Sequence, residues 1–336
     1  MNIRPALAGL VLSVLLTPVA MAQSTNYPMT IENCGRMLRL DAAPQKVVSL
    51  GQAMHEILYA LDLGDRMVGT AVWLGPVKEQ YAAANAAVPR IADEAPSFES
   101  VISSKPTLVL SEFEWHVGPQ GAVGTREQFA DVGIQTYIAP MDCTRKDNSS
   151  GGNGRRVEPF TMDQVYQAIT ELSQIFDVQD RGKALVTGLR EREALAVASV
   201  AKARDIPVLV WFTSPEMDMD ASVAGTNGAP QYILSKLNAR NVVTSDEEWP
   251  WVGWEVLAKS NPAVIVLAGM DRRFNVGDDP QKKIDFLTSD PVTSQMSAVK
   301  ARQYFVMRAE SMNPSMRTVD GIELLAEKML DYGLAE

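Results

Sequence analysis

Short apolar runs rich in Val, Ile and Leu alternate with segments of helical periodicity along most of the chain. That pattern predicts α/β layers built on mostly parallel sheets. In the first half the runs that read as strands are Lys46–Leu50, Met67–Ala71, Thr107–Ser111 and Gln135–Ala139. In the second half they are Pro207–Phe212, Asn241–Thr244, Ala263–Ala268 and Gln303–Met307. Between the halves, 161–204 carries Ala, Leu, Glu and Arg at helical spacing, lightly broken near Asp177–Asp180, and reads as a long helix. The polar, glycine-rich stretch 144–159 just before it, centred on Asn148 to Gly154, reads as a surface loop ending the first half.

One unit occurs in each half at an equivalent place. Glu99 stands seven residues before Pro106, which opens the apolar run Thr107-Leu108-Val109-Leu110; Glu255 stands seven residues before Pro262, which opens Ala263-Val264-Ile265-Val266-Leu267. In both copies a helix is expected to begin near the glutamate and to stop at the residue preceding proline. A repeated unit implies two similar lobes. Taken singly, each glutamate also fits an acid in the first turn of a helix, where the helix dipole favours it.

Composition narrows the function. A chain of 336 residues, 46% hydrophobic, has enough apolar material for two domain cores. Its net charge of −10 excludes a basic surface for nucleic acid. At the N-terminus, Arg4 precedes an apolar run from Ala6 to Val19 that is too short to span a bilayer, followed by Ala20-Met21-Ala22. This reads as a cleavable signal peptide with the mature chain starting near Gln23, which places the protein in the periplasm. In an oxidising compartment the two cysteines, Cys34 and Cys143, are expected to pair, the alternative being two buried thiols. The expected organisation is therefore a leader (1–22), an N-terminal α/β lobe (23–160), an interlobe helix region (161–204) and a C-terminal α/β lobe (205–336).

The residues Pro44-Gln45-Lys46-Val47-Val48-Ser49-Leu50, followed by His55 through Gly69, resemble the first strand and helix of the periplasmic binding proteins for iron siderophores and cobalamin. Glu99 through Leu110 and Trp249 through Leu267 resemble that family's two helix-strand units, and the likeness extends over most of the mature chain. The resemblance implies two Rossmann-like lobes joined by a single long backbone helix, with a ligand held in the cleft between them. It also implies that Glu99 and Glu255 dock the protein on the dimeric permease of an ABC importer, and that the protein works as a monomer. No catalytic residue, resident cofactor or protein-bound metal is implied; the bound ligand would be a small-molecule metal complex, foremost a ferric siderophore. Haem or cobalamin carriage on the same fold is the alternative, and a chelatase-like enzyme is a weaker one. No Gly-x-Ser-x-Gly elbow, His-Glu-x-x-His pair or phosphate-cradling glycine loop points to catalysis.

In such a fold ligand chemistry lies in loops at the carboxyl ends of the strands. The aromatic candidates are Trp73, Trp115, Trp249 and Trp251, joined by Phe113, while Trp211 and Phe212 fit core or cleft equally. The cationic candidates are Arg126, Arg272, Arg273 and Arg308, which suit carboxylate or catecholate oxygens but also fit surface or capping roles. Only two histidines exist, too few for a dedicated zinc or manganese carrier. His55 is placed at the start of the helix after the first strand, facing the cleft or packed. His116 is placed in an exposed loop, where its ring reaches a ligand or its metal.

Overall fold

The computed structural model describes residues 24–150 and 154–335. The leader and the centre of the glycine-rich stretch lie outside the described residues. The first lobe is built on a four-stranded, wholly parallel sheet in the order Met67–Ala71, Val47–Leu50, Leu108–Ser111, Gln135–Ile138. Its central strands are buried along their whole length, as expected where helices cover both faces.

The second lobe has a larger, mixed sheet. Ile206–Thr213 lies between Val264–Gly269 and the antiparallel strand Ala221–Val223, Tyr304–Arg308 flanks Val264–Gly269, and Ala239–Asn241 pairs with the start of Ile206–Thr213. The antiparallel edge made by Ala221–Val223 and the two-residue strand Trp251–Val252 was not legible, because two or three residues carry no period. The strand expected at 241–244 instead runs Ala239–Asn241. It stops because the Asn241 side chain turns back, donating to the carbonyls of Ala224 and Gly225 and accepting from the Val243 amide.

The segment between the halves breaks slightly earlier than expected. Met162–Ile175 packs into the first core through Val165, Ile169 and Leu172; the chain then turns at Asp177, with φ 58°, and Gln179–Ser199 continues for 21 residues. This long helix contributes Leu189 to the core of the first lobe and Ala196 to that of the second, so it joins them physically. The last helix, Arg317–Asp331, packs along it and does the same: Val319 belongs to the first core, Ile322 and Leu325 to the second.

A buried ion pair and a half-buried one fix the two lobes to each other. Arg317 grips Glu56 through Nε (2.8 Å) and a second nitrogen, and donates to the Pro76 carbonyl at 2.8 Å. Lys78 and Arg192 converge on Asp320 at 2.8 and 2.6 Å. The Cys34–Cys143 disulfide forms, tying the turn of the N-terminal hairpin Met29–Leu40 to the short helix Pro140–Cys143.

Candidate functional site

A cleft of about 560 Å³ opens between the lobes at the carboxyl ends of the parallel strands. The first lobe provides most of its wall. After Met67–Ala71 the chain passes through Val72 at φ 67°, a left-handed conformation that a β-branched residue adopts only under constraint. The turn delivers Trp73 to the cleft, and the Trp73 amide is held by the Asp93 carbonyl at 2.8 Å. The His55 ring packs behind the indole, tilted 49° to it with 4.5 Å between ring centroids, and the Arg90 guanidinium lies 4.8 Å over it, so the indole is clamped.

The third strand of this sheet ends at Ser111 and leads into Glu112, Phe113 and the one-turn helix Glu114–Val117. That helix is set by the Glu114 amide donating to Asp142 at 2.6 Å. It carries Trp115 and His116, whose rings lie 4.1 Å apart. Glu112 sits inside the bend after the first strand: its carboxylate accepts from the Ala53 amide at 2.9 Å. Gly51, at φ 109°, permits that approach, because a Cβ there would lie 2.2 Å from the Glu112 Cβ. The second lobe closes the cleft with Phe212, Trp249, Arg272 and Asn313.

Burial sets the charge states. Desolvation pushes the Glu112 carboxyl up to about 8 against the opposing Ala53 hydrogen bond, so it carries a proton at neutral pH. Desolvation also holds His116 down at about 4, leaving a neutral imidazole. Among the described residues, several buried polar atoms on the cleft have no hydrogen-bond partner: Trp73 Nε1, both ring nitrogens of His116 and Arg272 Nε. Such orphaned groups are rare in folded interiors, and their convergence on one cavity marks a place where a ligand would satisfy them.

The structure gathers Trp73, Phe113, Trp115, His116, Phe212, Trp249 and Arg272 on this cleft and places His55, Arg126, Trp251, Arg273 and Arg308 elsewhere. His116 is buried rather than on an exposed loop, because the Val123 and Gly124 amides bond its carbonyl and fold the following loop over it. The His55 ring does not reach the cleft. It is fully buried, with Nδ1 on Ser49 Oγ (2.7 Å) and Nε2 on the Ala71 carbonyl (3.0 Å), and burial holds its pKa down at about 3.

Arg126 is not a cleft residue either. It is buried in the first lobe, where it donates to the Asn33 carbonyl (2.9 Å), the Asn33 side chain (3.1 Å) and Thr136 Oγ1 (3.2 Å). Arg308 is occupied by Asp271 (3.0 Å) and Glu310 (2.9 Å), against the first-lobe backbone at Gly75. Arg273 is exposed beside Arg272, and Trp251 lies outside the cleft on the antiparallel edge. Trp211 is core and Phe212 is cleft.

Sequence reasoning missed Glu112, Gln52 and Asn313 on the cleft. Glu112 had one usable signal, an acid directly following an apolar strand. Glu99 and Glu255 are each the second residue of a short helix, Phe98–Ser103 and Trp254–Ser260; both are exposed, and neither is in an ion pair among the described residues.

The chain is similar to known proteins in sequence and fold. The family described as periplasmic binding protein matches residues 47–311. An uncharacterised ABC-transporter substrate-binding lipoprotein of Bacillus subtilis is 23% identical over 90% of this chain and 86% of its own. A vitamin B12-binding protein of Photorhabdus laumondii is 25% identical over 68% of this chain and 73% of its own. The crystal structure of an ABC-type Fe3+-hydroxamate transport system from Saccharomonospora viridis superposes with a TM-score of 0.71 at 28% identity, covering 90% of this chain and 99% of that one.

Proposed function

We propose that this chain, which belongs to the periplasmic binding protein family, is the substrate-binding subunit of an ABC importer that captures a metal chelate and hands it to the membrane permease. The observation that carries the chelate reading is the cleft itself. Aromatic faces surround a neutral imidazole whose two nitrogens have no protein partner, and Trp73 Nε1 and Arg272 Nε also await one. Aromatic walls suit a large, flat or greasy ligand, and the free imidazole can hydrogen-bond that ligand or reach its metal.

Charge narrows the class. With Arg126 and Arg308 engaged by their own lobes, Arg272 is the arginine lining the cleft, Glu94 is an acid on the same cleft close enough to feel its charge, and Glu112 lines the cleft in the neutral form. That set matches a weakly charged chelate better than a highly anionic tris-catecholate, which would call for several guanidinium forks. A ferric hydroxamate, in which the hydroxamate anions neutralise the iron, is the reading we favour. Cobalamin or haem is the second reading, favoured by the aromatic faces and by His116.

The protein acts in the periplasm as a binding protein rather than an enzyme, and as a monomer. Glu99 and Glu255 present one carboxylate per lobe to cationic side chains of the dimeric permease, which fixes position and orientation together. The deciding experiment is thermal unfolding of the mature chain with ferrioxamine, haem or cyanocobalamin at saturation. One of the three is expected to raise the Tm by several degrees. Three unshifted curves would sink the metal-chelate reading.

A further inference from the structure

On the second lobe, the strand Trp251–Val252 and the helix Trp254–Ser260 stand against the loop 215–220. Trp254 Nε1 donates to the Met217 carbonyl at 3.0 Å, and a Cβ on Gly253 would lie 3.3 Å from Asp220 Oδ1, so loop and helix start form one continuous surface. Three large apolar side chains are open on these elements: Met219 is 51% exposed, Trp251 53% and Val256 63%. Pro215, Met219, Asp220 and Trp251 line a depression of about 480 Å³. The elements around it are acidic: Asp220 lines the depression, Glu216 and Asp218 are exposed on the same loop, and Glu255 is exposed on the adjoining helix.

The equivalent place on the first lobe is different. Among the described residues, no large apolar side chain is exposed on the helix Phe98–Ser103, where Glu99 is accompanied by Ser97, Ser100 and Ser103. An open tryptophan and methionine lining one depression, with an open valine on the adjoining helix, is the composition of a contact surface rather than of ordinary solvent-facing protein.

We infer that this patch is the principal docking contact of the second lobe, and that it receives an apolar side chain flanked by cations on the periplasmic face of the permease. The inference rests on the substrate-binding reading given above and adds to it a specific surface and the chemistry of its occupant. These acids select that occupant. They repel anionic lipid headgroups, and they repel a second copy of a chain that carries a net charge of −10 and the same acids. Glu255, on the same helix as Val256, makes the patch continuous with the docking carboxylate.

The test measures docking of the full mature chain to the importer's permease–ATPase complex in nanodiscs by biolayer interferometry. Trp251→Ala is expected to weaken docking at least tenfold, and Val256→Asp to do the same without touching the sheet, while chelate affinity and Tm stay at wild-type values. Wild-type docking by both variants would overturn the patch and leave the binding-protein reading standing. If the wild-type chain does not dock on the complex at all, both ideas fall. A wild-type dimer in sedimentation that Trp251→Ala converts to monomer would assign the patch to self-association and overturn the inference.

Discussion

The two lobes carry the same helix-strand unit and use it differently. In the first, strand ends turn inward: a left-handed Val72 aims Trp73, a one-turn helix aims Trp115 and His116, and Glu112 is folded under the first bend. In the second, Phe212, Trp249, Arg272 and Asn313 reach the cleft among the described residues, while Met219, Trp251 and Val256 are exposed to solvent. A shared scaffold has thus been divided by its loops: the first lobe holds most of the recognition chemistry, with Glu112 and His116 neutral at pH 7 and Glu94 as its exposed carboxyl, and the second holds the cation and the wider outer surface. Function resides in sites set on a fold rather than in the fold itself.

That division depends on the lobes being held in fixed register, so the largest effect is expected from cutting the bond between them. Arg317→Ala leaves Glu56 buried without its cationic partner. The expected cost is about 3–5 kcal/mol of unfolding free energy, read by urea denaturation, with a tendency for calorimetry to split into two transitions. A loss below about 1 kcal/mol would mean that the two bridging helices alone set the register.

The next effect sharpens the charge contrast. Because the Glu112 carboxyl titrates near 8 in the fold and near the ordinary carboxylate value when unfolded, folding holds a proton that the unfolded chain releases. The stability contributed by that proton is fully present below the unfolded value and is lost as pH rises through about 8. Glu112→Gln keeps the acceptor for the Ala53 amide and removes the titration. The variant is expected to be more stable than wild type by on the order of 3 kcal/mol at pH 9, with the gap shrinking toward pH 5, in paired urea melts. An equal gap at both pH values would show that the carboxyl is already ionised in the fold.

The smallest effect compares the two walls directly. Trp73→Ala or His116→Ala is expected to cost about 1–3 kcal/mol of chelate affinity by calorimetry, and Trp249→Ala less. A larger loss at Trp249 would invert the assignment of recognition to the first lobe.

Much of this architecture was legible because it rests on long, periodic signals. Most of the parallel strands are apolar runs of four residues or more, and the interlobe helix is a 21-residue stretch rich in the helix formers Ala, Leu, Glu and Arg. The Glu99 and Glu255 units were visible because proline marks the end of both helices. The site was legible only in part. Trp73, Trp115, His116, Trp249 and Arg272 follow strands and do face the cleft, but Arg126 and Arg308 follow the same kind of signal and are spent on Asn33, Thr136, Asp271 and Glu310. Partners that lie 10 to 93 residues away for Arg126 leave no local trace in the sequence. Glu112 was missed for a related reason, since its proton affinity comes from burial and not from its neighbours in the chain.

The central claim is that the cleft between the lobes binds a metal chelate, and tryptophan fluorescence reads it directly, because Trp73, Trp115 and Trp249 line that cleft. Titration of the mature chain with ferrioxamine, cyanocobalamin and haem is predicted to give saturable quenching at one ligand per protein with one of them, and that affinity is predicted to fall at least tenfold in a Trp73→Ala/His116→Ala chain. Quenching by none of the three, or equally tight binding by the double variant, would contradict it.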